Sequence, residues 1–276
     1  MAITAQEVNK LRQMTGAGMM DCKKALTEAE GDFDKAIDIL RKKGQKVSAS
    51  RADRETTEGS VFVRTNADNT EGILVALNCE TDFVGKNEEF LALGQSILDV
   101  AFENDAPTKE DVLKLKVGSL TVEEKITEMV GKIGEKIEIS EYVRLKGEAV
   151  VPYIHAGNKL GVLVALKNVN GTDVQEAGKD VGMQIAAMNP VAVDQDGVDQ
   201  ETINKEIEIG KEQALAEGKP ENIIDKIAQG KLQKFFKDNT LLNQAFVKDN
   251  SLTIAKYLDS VHSGLTVTEF KRVSIG

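Results

Sequence analysis

A six-residue apolar block occurs twice in this chain. Gly72-Ile73-Leu74-Val75-Ala76-Leu77 and Gly161-Val162-Leu163-Val164-Ala165-Leu166 agree at five of six positions and lie 89 residues apart. Each block reads as a strand that continues into a buried run. Each follows a shorter strand-like segment and a turn: Ser60 to Thr65 then Ala67-Asp68-Asn69 in the first, Ala149 to His155 then Gly157-Asn158 in the second. A helical stretch comes next in both. Repetition of one such unit implies two similarly built halves. The fold class expected is α+β, with a duplicated core of antiparallel strands.

The two copies part company just after the repeated strand. The first continues Thr81-Asp82-Phe83-Val84 into Gly85; the corresponding stretch of the second is Asn170-Gly171-Thr172-Asp173. Phe83 is a large ring in a polar loop, in a chain with nine Phe, three Tyr and no Trp. Such a ring either folds back on its own core or projects to meet something else. Because the twin has no aromatic at this place, the scaffold does not need one. A loop feature confined to one copy points to function. A ring that fills a pocket beside a carboxylate that fixes orientation makes a good contact hot spot.

The 276 residues can bury a sizeable core and hold more than one domain. No apolar run approaches a membrane span. Met1-Ala2-Ile3-Thr4 lacks the basic start and apolar block of a secretory signal. Cys22 and Cys79 sit in apolar contexts and suit a reducing, cytoplasmic setting as small hydrophobes. The net charge of −10 argues against nucleic acid as the main partner. It is unevenly spread, with eleven basic against eight acidic residues in 1–54 and 24 against 37 in the rest. The basic end suits either an acidic surface or RNA, or is a solvated helical face.

Residues 1–44 read as a three-helix domain that docks on a partner. Thr4-Ala5-Gln6-Glu7 fits a capping box at its start. Val8, Leu11 and Met14 follow at helical spacing, and Thr15-Gly16-Ala17-Gly18 breaks the helix. Met19, Cys22, Ala25 and Leu26 mark a second helix. Asp32 caps a third, which Gly44 is expected to end. Met19-Met20 beside the glycine-rich turn is either an exposed, adaptable contact or core. Residues 45–58 have the composition of a linker. The core then divides into 59–146 and 147–276. Helices are expected over Phe90 to Phe102, Val122 to Val130, Val174 to Met188 and Ser251 to Val261, and strands over Lys136 to Lys146 and Leu265 to Val273. Residues 199–236 form an inserted helical hairpin, broken at Gly218-Lys219-Pro220 with the proline in the first turn of the restart. Its Ile207, Ile227 and Phe235 either pair two chains into a homodimer or fold on themselves.

Catalytic machinery is missing from the pattern. His155 and His262 are far apart, no Cys/His cluster has zinc spacing, and no phosphate-cradling glycine loop exists. Gly16-Ala17-Gly18 follows a helix and has Asp21 where a dinucleotide loop would have its third glycine. A thiol site at Cys79 would suffer from Glu80 and Asp82, which raise rather than lower a thiol pKa. Neither an enzyme nor a cofactor nor a bound metal is expected.

Three groups of residues carry a resemblance. Leu11-Arg12 through Thr15-Gly16-Ala17-Gly18-Met19-Met20-Asp21-Cys22-Lys23-Lys24-Ala25-Leu26 resembles the opening motif of the bacterial elongation factor Ts family. Cys79-Glu80-Thr81-Asp82-Phe83-Val84-Gly85-Lys86-Asn87 resembles its central motif. Gly218-Lys219-Pro220-Glu221, Lys234-Phe235-Phe236 and Gln244-Ala245-Phe246-Val247-Lys248-Asp249 resemble its later segment. The resemblance spans nearly the whole chain in order. It implies guanine-nucleotide exchange on elongation factor Tu, with Met19 and Met20 docking on the nucleotide-binding domain of Tu. It places Thr81, Asp82, Phe83 and Val84 where they bind the partner and dislodge its Mg²⁺. His155 and Gly157 would pack on a more distant domain, and the hairpin corresponds to the family's coiled-coil module. Asp82 acts either on the partner's backbone or by rearranging its polar network; one carboxylate is a poor Mg²⁺ ligand by itself. The sequence reaches Gly276 just after the closing strand, where some members of that family continue into a helical module that also touches Tu. That puts this one contact in question and leaves exchange as the expectation. Two rivals remain: an adaptor whose three helices resemble a ubiquitin-associated domain and bind a peptide or helix, and a thiol enzyme built on Cys79.

Overall fold

A computed structural model describes residues 3–276; Met1 and Ala2, the start of the segment considered above for a signal, lie outside the described residues. Three helices open the chain, α1 (Ala5–Thr15), α2 (Met19–Glu28) and α3 (Phe33–Ser50). The Thr4/Glu7 capping box is present, and the Asp32 carboxylate accepts from Asp34 N and Lys35 N to start α3. Leu11, Cys22, Leu26 and Ala36 close the small core between them.

The first half contains β1 (Glu58–Thr65), β2 (Glu71–Cys79), α4 (Asp82–Gly85), α5 (Glu88–Glu103), α6 (Lys109–Lys114), β3 (Lys116–Val117), β4 (Leu120–Thr121), α7 (Val122–Ile133) and β5 (Ile137–Lys146). The second contains β6 (Ala149–Ile154), β7 (Leu160–Lys167), α8 (Gln175–Met188), the hairpin α9 (Gln200–Ala216) and α10 (Glu221–Asn239), β8 (Ala245–Phe246), β9 (Asp249–Thr253), α11 (Ile254–Val261) and β10 (Thr266–Ser274). The main sheets are three-stranded and antiparallel, ordered β1-β2-β5 and β6-β7-β10. The mixed helix and antiparallel-strand architecture is the α+β class read from the sequence. Among the described residues no helix is long and apolar enough to cross a membrane.

The repeated block is apolar at every position because both faces of its strand are buried. Side chains alternate across a strand. Ile73, Val75 and Leu77 therefore face α5 and α7, while Leu74 and Ala76 face the other sheet. In the second copy Val162, Val164 and Leu166 face α8 and α11, and Leu163 and Ala165 face the first sheet. The two halves thus stack back to back as helix, sheet, sheet, helix.

Their contact is a pseudo-twofold one. A Cβ on Gly72 would lie 3.0 Å from Leu163 Cδ2 and 3.0 Å from Val150 Cγ1. A Cβ on Gly161 would lie 2.8 Å from Leu74 Cδ1 and 2.6 Å from Val61 Cγ1. Gly72 matches Gly161, Leu74 matches Leu163, and Val61 and Val150 oppose the matching alanines Ala76 and Ala165. Each glycine therefore receives the side chains that its twin's half supplies. The turns obey the same exchange. Asn69 and Asn158 are both left-handed, and their carbonyls accept from Val150 N (2.5 Å) and Val61 N (2.7 Å) of the opposite half. Even the bulges correspond, with Ser140 inserted opposite Ala76/Leu77 and Thr268 opposite Ala165/Leu166.

Several boundaries differ from the sequence reading. Gly44 does not end its helix: α3 runs on to Ser50, so much of the stretch read as linker, 45–58, is helical. Gly44 is there for close approach, since a Cβ on it would sit 3.1 Å from Thr127 O, and one on Gly131 would sit 2.7 Å from Gly44 Cα. The three-helix unit is thereby packed through α3 onto α7. Pro220 caps α10 from outside its first turn, and α10 continues to Asn239. The hairpin folds on itself, with Gly210 against Ala228 and Phe236 rather than Phe235 buried. Residues 251–253 belong to β9, not to the last helix.

Two glycine substitutions with opposite signs test this packing. Gly161→Val forces methyls into Val61 and Leu74 and is expected to lose ~1–3 kcal/mol in urea unfolding. Gly230 is exposed inside α10 with open space around it. Gly230→Ala is expected to gain ~0.5–1 kcal/mol from helix propensity. Equal midpoints for Gly161→Val and the parent chain would contradict the sheet-to-sheet fit.

Candidate functional site

The stretch 81–85 is not an open loop but one turn of helix, α4, placed directly on the end of β2. Gly85 N bonds Thr81 O and Lys86 N bonds Asp82 O, both at 3.2 Å. The turn has two faces. Val84 and Gly85 point inward, Val84 joining the core below α5, so Val84 anchors the turn and is not presented to a partner. A Cβ on Gly85 would lie 3.3 Å from Gly59 N, and Ser60 Oγ donates to Gly85 O, so the turn sits hard on the start of β1. Asn87 then caps α5 through Glu89 N and Phe90 N. Phe83 points outward and is 84% exposed, more than any other exposed large apolar side chain among the described residues. Leaving such a ring in water forfeits ~1.5–3 kcal/mol of burial. Its presence therefore has no explanation in the stability of the isolated chain.

The root of the turn is held by two carboxylates. Cys79 pairs with Ile137 at the end of the β2–β5 ladder. Beyond it Glu80 Oε1 accepts from Lys136 N at 2.7 Å, and Glu135 Oε2 accepts from Thr81 N at 3.0 Å. Glu135 Oε1 also accepts from Thr81 Oγ1 at 2.7 Å, which is why the Thr81 hydroxyl makes no capping bond to α4. Glu80 further receives Arg51 Nη1, just past the end of α3, at 3.2 and 3.0 Å. Sequence reasoning missed Glu135 and Arg51. They lie 54 and 29 residues from their partners, and no local pattern marks either.

Beside Phe83, Asp82 pairs with Lys86 one turn on at 2.7 Å. The Lys86 ammonium holds the Asp82 carboxyl below the usual range, and Lys86 is raised in return. Exposed pairs of this kind contribute little to stability and open readily.

Met19 and Met20 are exposed at the start of α2, which settles the choice between contact and core in favour of surface. Met14, which follows Val8 and Leu11 at helical spacing, is 56% exposed at the end of α1, just before the Thr15–Gly18 turn. A methionine in the last turn beside that glycine-rich break was the available signal. His155 and Gly157 lie at the exposed β6–β7 turn, where Tyr153 Oη is 3.1 Å from His155 Nδ1 and Gly157 has a left-handed φ of 91°. They belong to a different half from Phe83.

Cys79 is wholly buried, and its Sγ donates to Thr81 O. Burial first, then the Glu135 and Glu58 carboxylates, push its thiol up to about 12. Neither histidine accompanies it: His262 sits between Asn170 Nδ2 and Thr172 Oγ1 in the second copy.

Comparison with known proteins identifies the family. The family model described as Elongation factor TS matches residues 80–276, beginning at the root of the Phe83 turn. A protein named elongation factor Ts from Amoebophilus asiaticus is 59% identical over 276 residues, covering 100% of both chains. Those of Cytophaga hutchinsonii and Christiangramia forsetii are 60% and 56% identical, over 99% of both chains. On a family match over most of its length and identities of this size from end to end, the chain belongs to the elongation factor Ts family of translation elongation factors.

Proposed function

We propose that this chain promotes exchange of GDP for GTP on elongation factor Tu in the cytoplasm during protein synthesis, and that Phe83 is the part that opens the nucleotide site. One observation carries the reading: a large aromatic is 84% exposed on a turn whose other face is locked into the core. A GTPase holds GDP through phosphate contacts and a Mg²⁺ that demands near-ideal octahedral geometry. A rigid ring entering beside the loops that hold them displaces the ion and loosens the nucleotide. No covalent step occurs, so the chain is an exchange factor and not an enzyme in the chemical sense. Exchange is reciprocal coupling, in which the factor and GDP each lower the other's affinity by one common factor.

The remaining residues divide the work. Asp82 leaves Lys86 and engages polar groups of the partner, orienting the ring. Met19 and Met20, with Met14, give the three-helix unit, similar to a ubiquitin-associated domain, an adaptable apolar contact for the nucleotide-binding domain of Tu. His155 and Gly157 bear on a second domain. The domain division follows: 1–44 extended by the rest of α3 for docking, 59–146 for the Phe83 turn, and 147–276 for the distant contact. A homodimer is a further assembly that Leu215 and Ile223, exposed on the hairpin, would serve; light scattering on the free chain reads it directly.

Release of fluorescent GDP from purified Tu tests the reading. The intact chain is expected to accelerate release strongly, and Phe83→Ala to reduce that acceleration ~30-fold or more, the scale of a hot spot. Its thermal midpoint should be unchanged, because the ring is outside the core. No acceleration by the parent chain would remove the proposal. Replacing Met19 and Met20 by Ala is expected instead to raise the concentration needed for half-maximal effect. The thiol-enzyme alternative has its own check. With a pKa of about 12, Cys79 is protonated at pH 8 and reacts with iodoacetamide only after unfolding. Rapid alkylation of Cys79 in the folded chain would revive it.

A further inference from the structure

The two carboxylates at the root of the turn extend the β2–β5 ladder beyond its last backbone pair. The register runs Asn78 with Glu138 and Cys79 with Ile137. Continued by two residues it would pair Glu80 with Lys136 and Thr81 with Glu135. Those pairs meet through side-chain oxygens and not through a continued main-chain ladder: Glu80 Oε1 accepts from Lys136 N and Glu135 Oε2 from Thr81 N. The arrangement is reciprocal, each short segment giving one carboxylate and taking one from the other. It lets the backbone leave the sheet and coil into α4 while the Thr81 N–H, just before the turn, stays satisfied. The second copy has no such pair. There Asn168 Nδ2 donates to Gly264 O, Glu148, just before β6, accepts from Asn168 N and Val169 N, and Asp259 accepts from Gly264 N, with no exchange of carboxylates between the two segments. That copy carries no outward aromatic at the corresponding place.

We propose that Glu135 is the positioning residue for Phe83. Its carboxylate grips Thr81 at two atoms, two residues before the ring, and is the one side chain that fixes both the backbone and the side chain of the residue from which α4 starts. Val84 and Gly85 hold the far end of the turn. With Glu135 in place the ring is presented in one direction; without it the turn hinges about Val84. Glu135 is half-buried and reaches the partner only through Phe83. This rests on the exchange reading of Phe83, and it also makes a statement about the free chain that stands apart from that reading.

The experiment compares Glu135→Ala and Glu135→Gln with the parent, each alone and with Phe83→Ala. Gln keeps the grip, its carbonyl accepting from Thr81 N and its amide donating to Thr81 Oγ1. In GDP release from Tu, Glu135→Ala is expected to lower the maximal rate about tenfold, the scale of losing hydrogen bonds to a charged acceptor. The half-saturating concentration should stay within about twofold, and Glu135→Gln should restore most of the rate. In the Phe83→Ala background Glu135→Ala should change the maximal rate by less than about twofold, since the two act as one unit. An equal loss in both backgrounds, or a Gln variant as impaired as Ala, overturns the proposal. Deuterium uptake of the free chain is read in parallel. Glu135→Ala should speed it in the peptide covering 79–87 and leave the rest of the first half unchanged. If the parent fails to accelerate release, the exchange reading falls and the uptake result alone decides the grip. Unchanged uptake at 79–87 overturns it.

Discussion

Everything in this molecule is referred to the contact between two sheets, and that contact turns on two glycines. Gly72 and Gly161 receive the side chains of Leu163 with Val150 and of Leu74 with Val61, at separations that leave no room for a Cβ without displacement. Protein interiors are close-packed and transmit such displacements. The glycines therefore set the distance and the angle between the halves. The hairpin turns lock the same arrangement a second time, through Asn69 and Asn158.

From that interface outward, burial dictates the rest. Strands covered on one side by a sheet and on the other by helices must be apolar throughout, as the repeated block is. A strand so embedded is rigid, and its carboxyl end is a fixed point. The first copy uses that fixed point to carry α4, with Val84 and Gly85 set into the core and Phe83 left in water. The second copy uses the same point for a glycine-bearing turn closed by Asn168, Thr172 and His262. The scaffold is common to both; the displayed ring is not. The three-helix unit is tied to the same framework at Gly44 and Gly131, and again by Arg51 on Glu80 beside the root of α4. Docking surface and displayed ring are thus joined through α7 and its exit loop.

Some of this was open to reading in the residues. The capping box at Thr4, the break at Thr15–Gly18 and the alternation of the strands are local, and they appear where the sequence places them. Phe83 was legible by contrast with its twin. Other features were not. Gly44 looked like a helix stop because a glycine's local preference is to terminate, while its actual role is to admit α7, over eighty residues further on. Met14 shares the helical spacing of Val8 and Leu11, yet a helix of eleven residues in so small a unit covers only its inner stripe, and Met14 lies outside it. Val84 stood beside Phe83 in one motif, although consecutive residues of a helical turn point in different directions.

The sequence by itself determined that there are two like halves, that both repeated strands are buried, and that one loop bears an aromatic its twin lacks. Those are matters of composition and period, which act over a few neighbours. Only the tertiary structure decided that the halves exchange side chains across their glycines, and that Val84 faces in while Phe83 faces out. It alone decided that the turn is gripped at its root by Glu135 and Glu80. Such contacts join residues tens of positions apart, and they exist only once chain closure and packing have brought those residues together, so no local pattern encodes them.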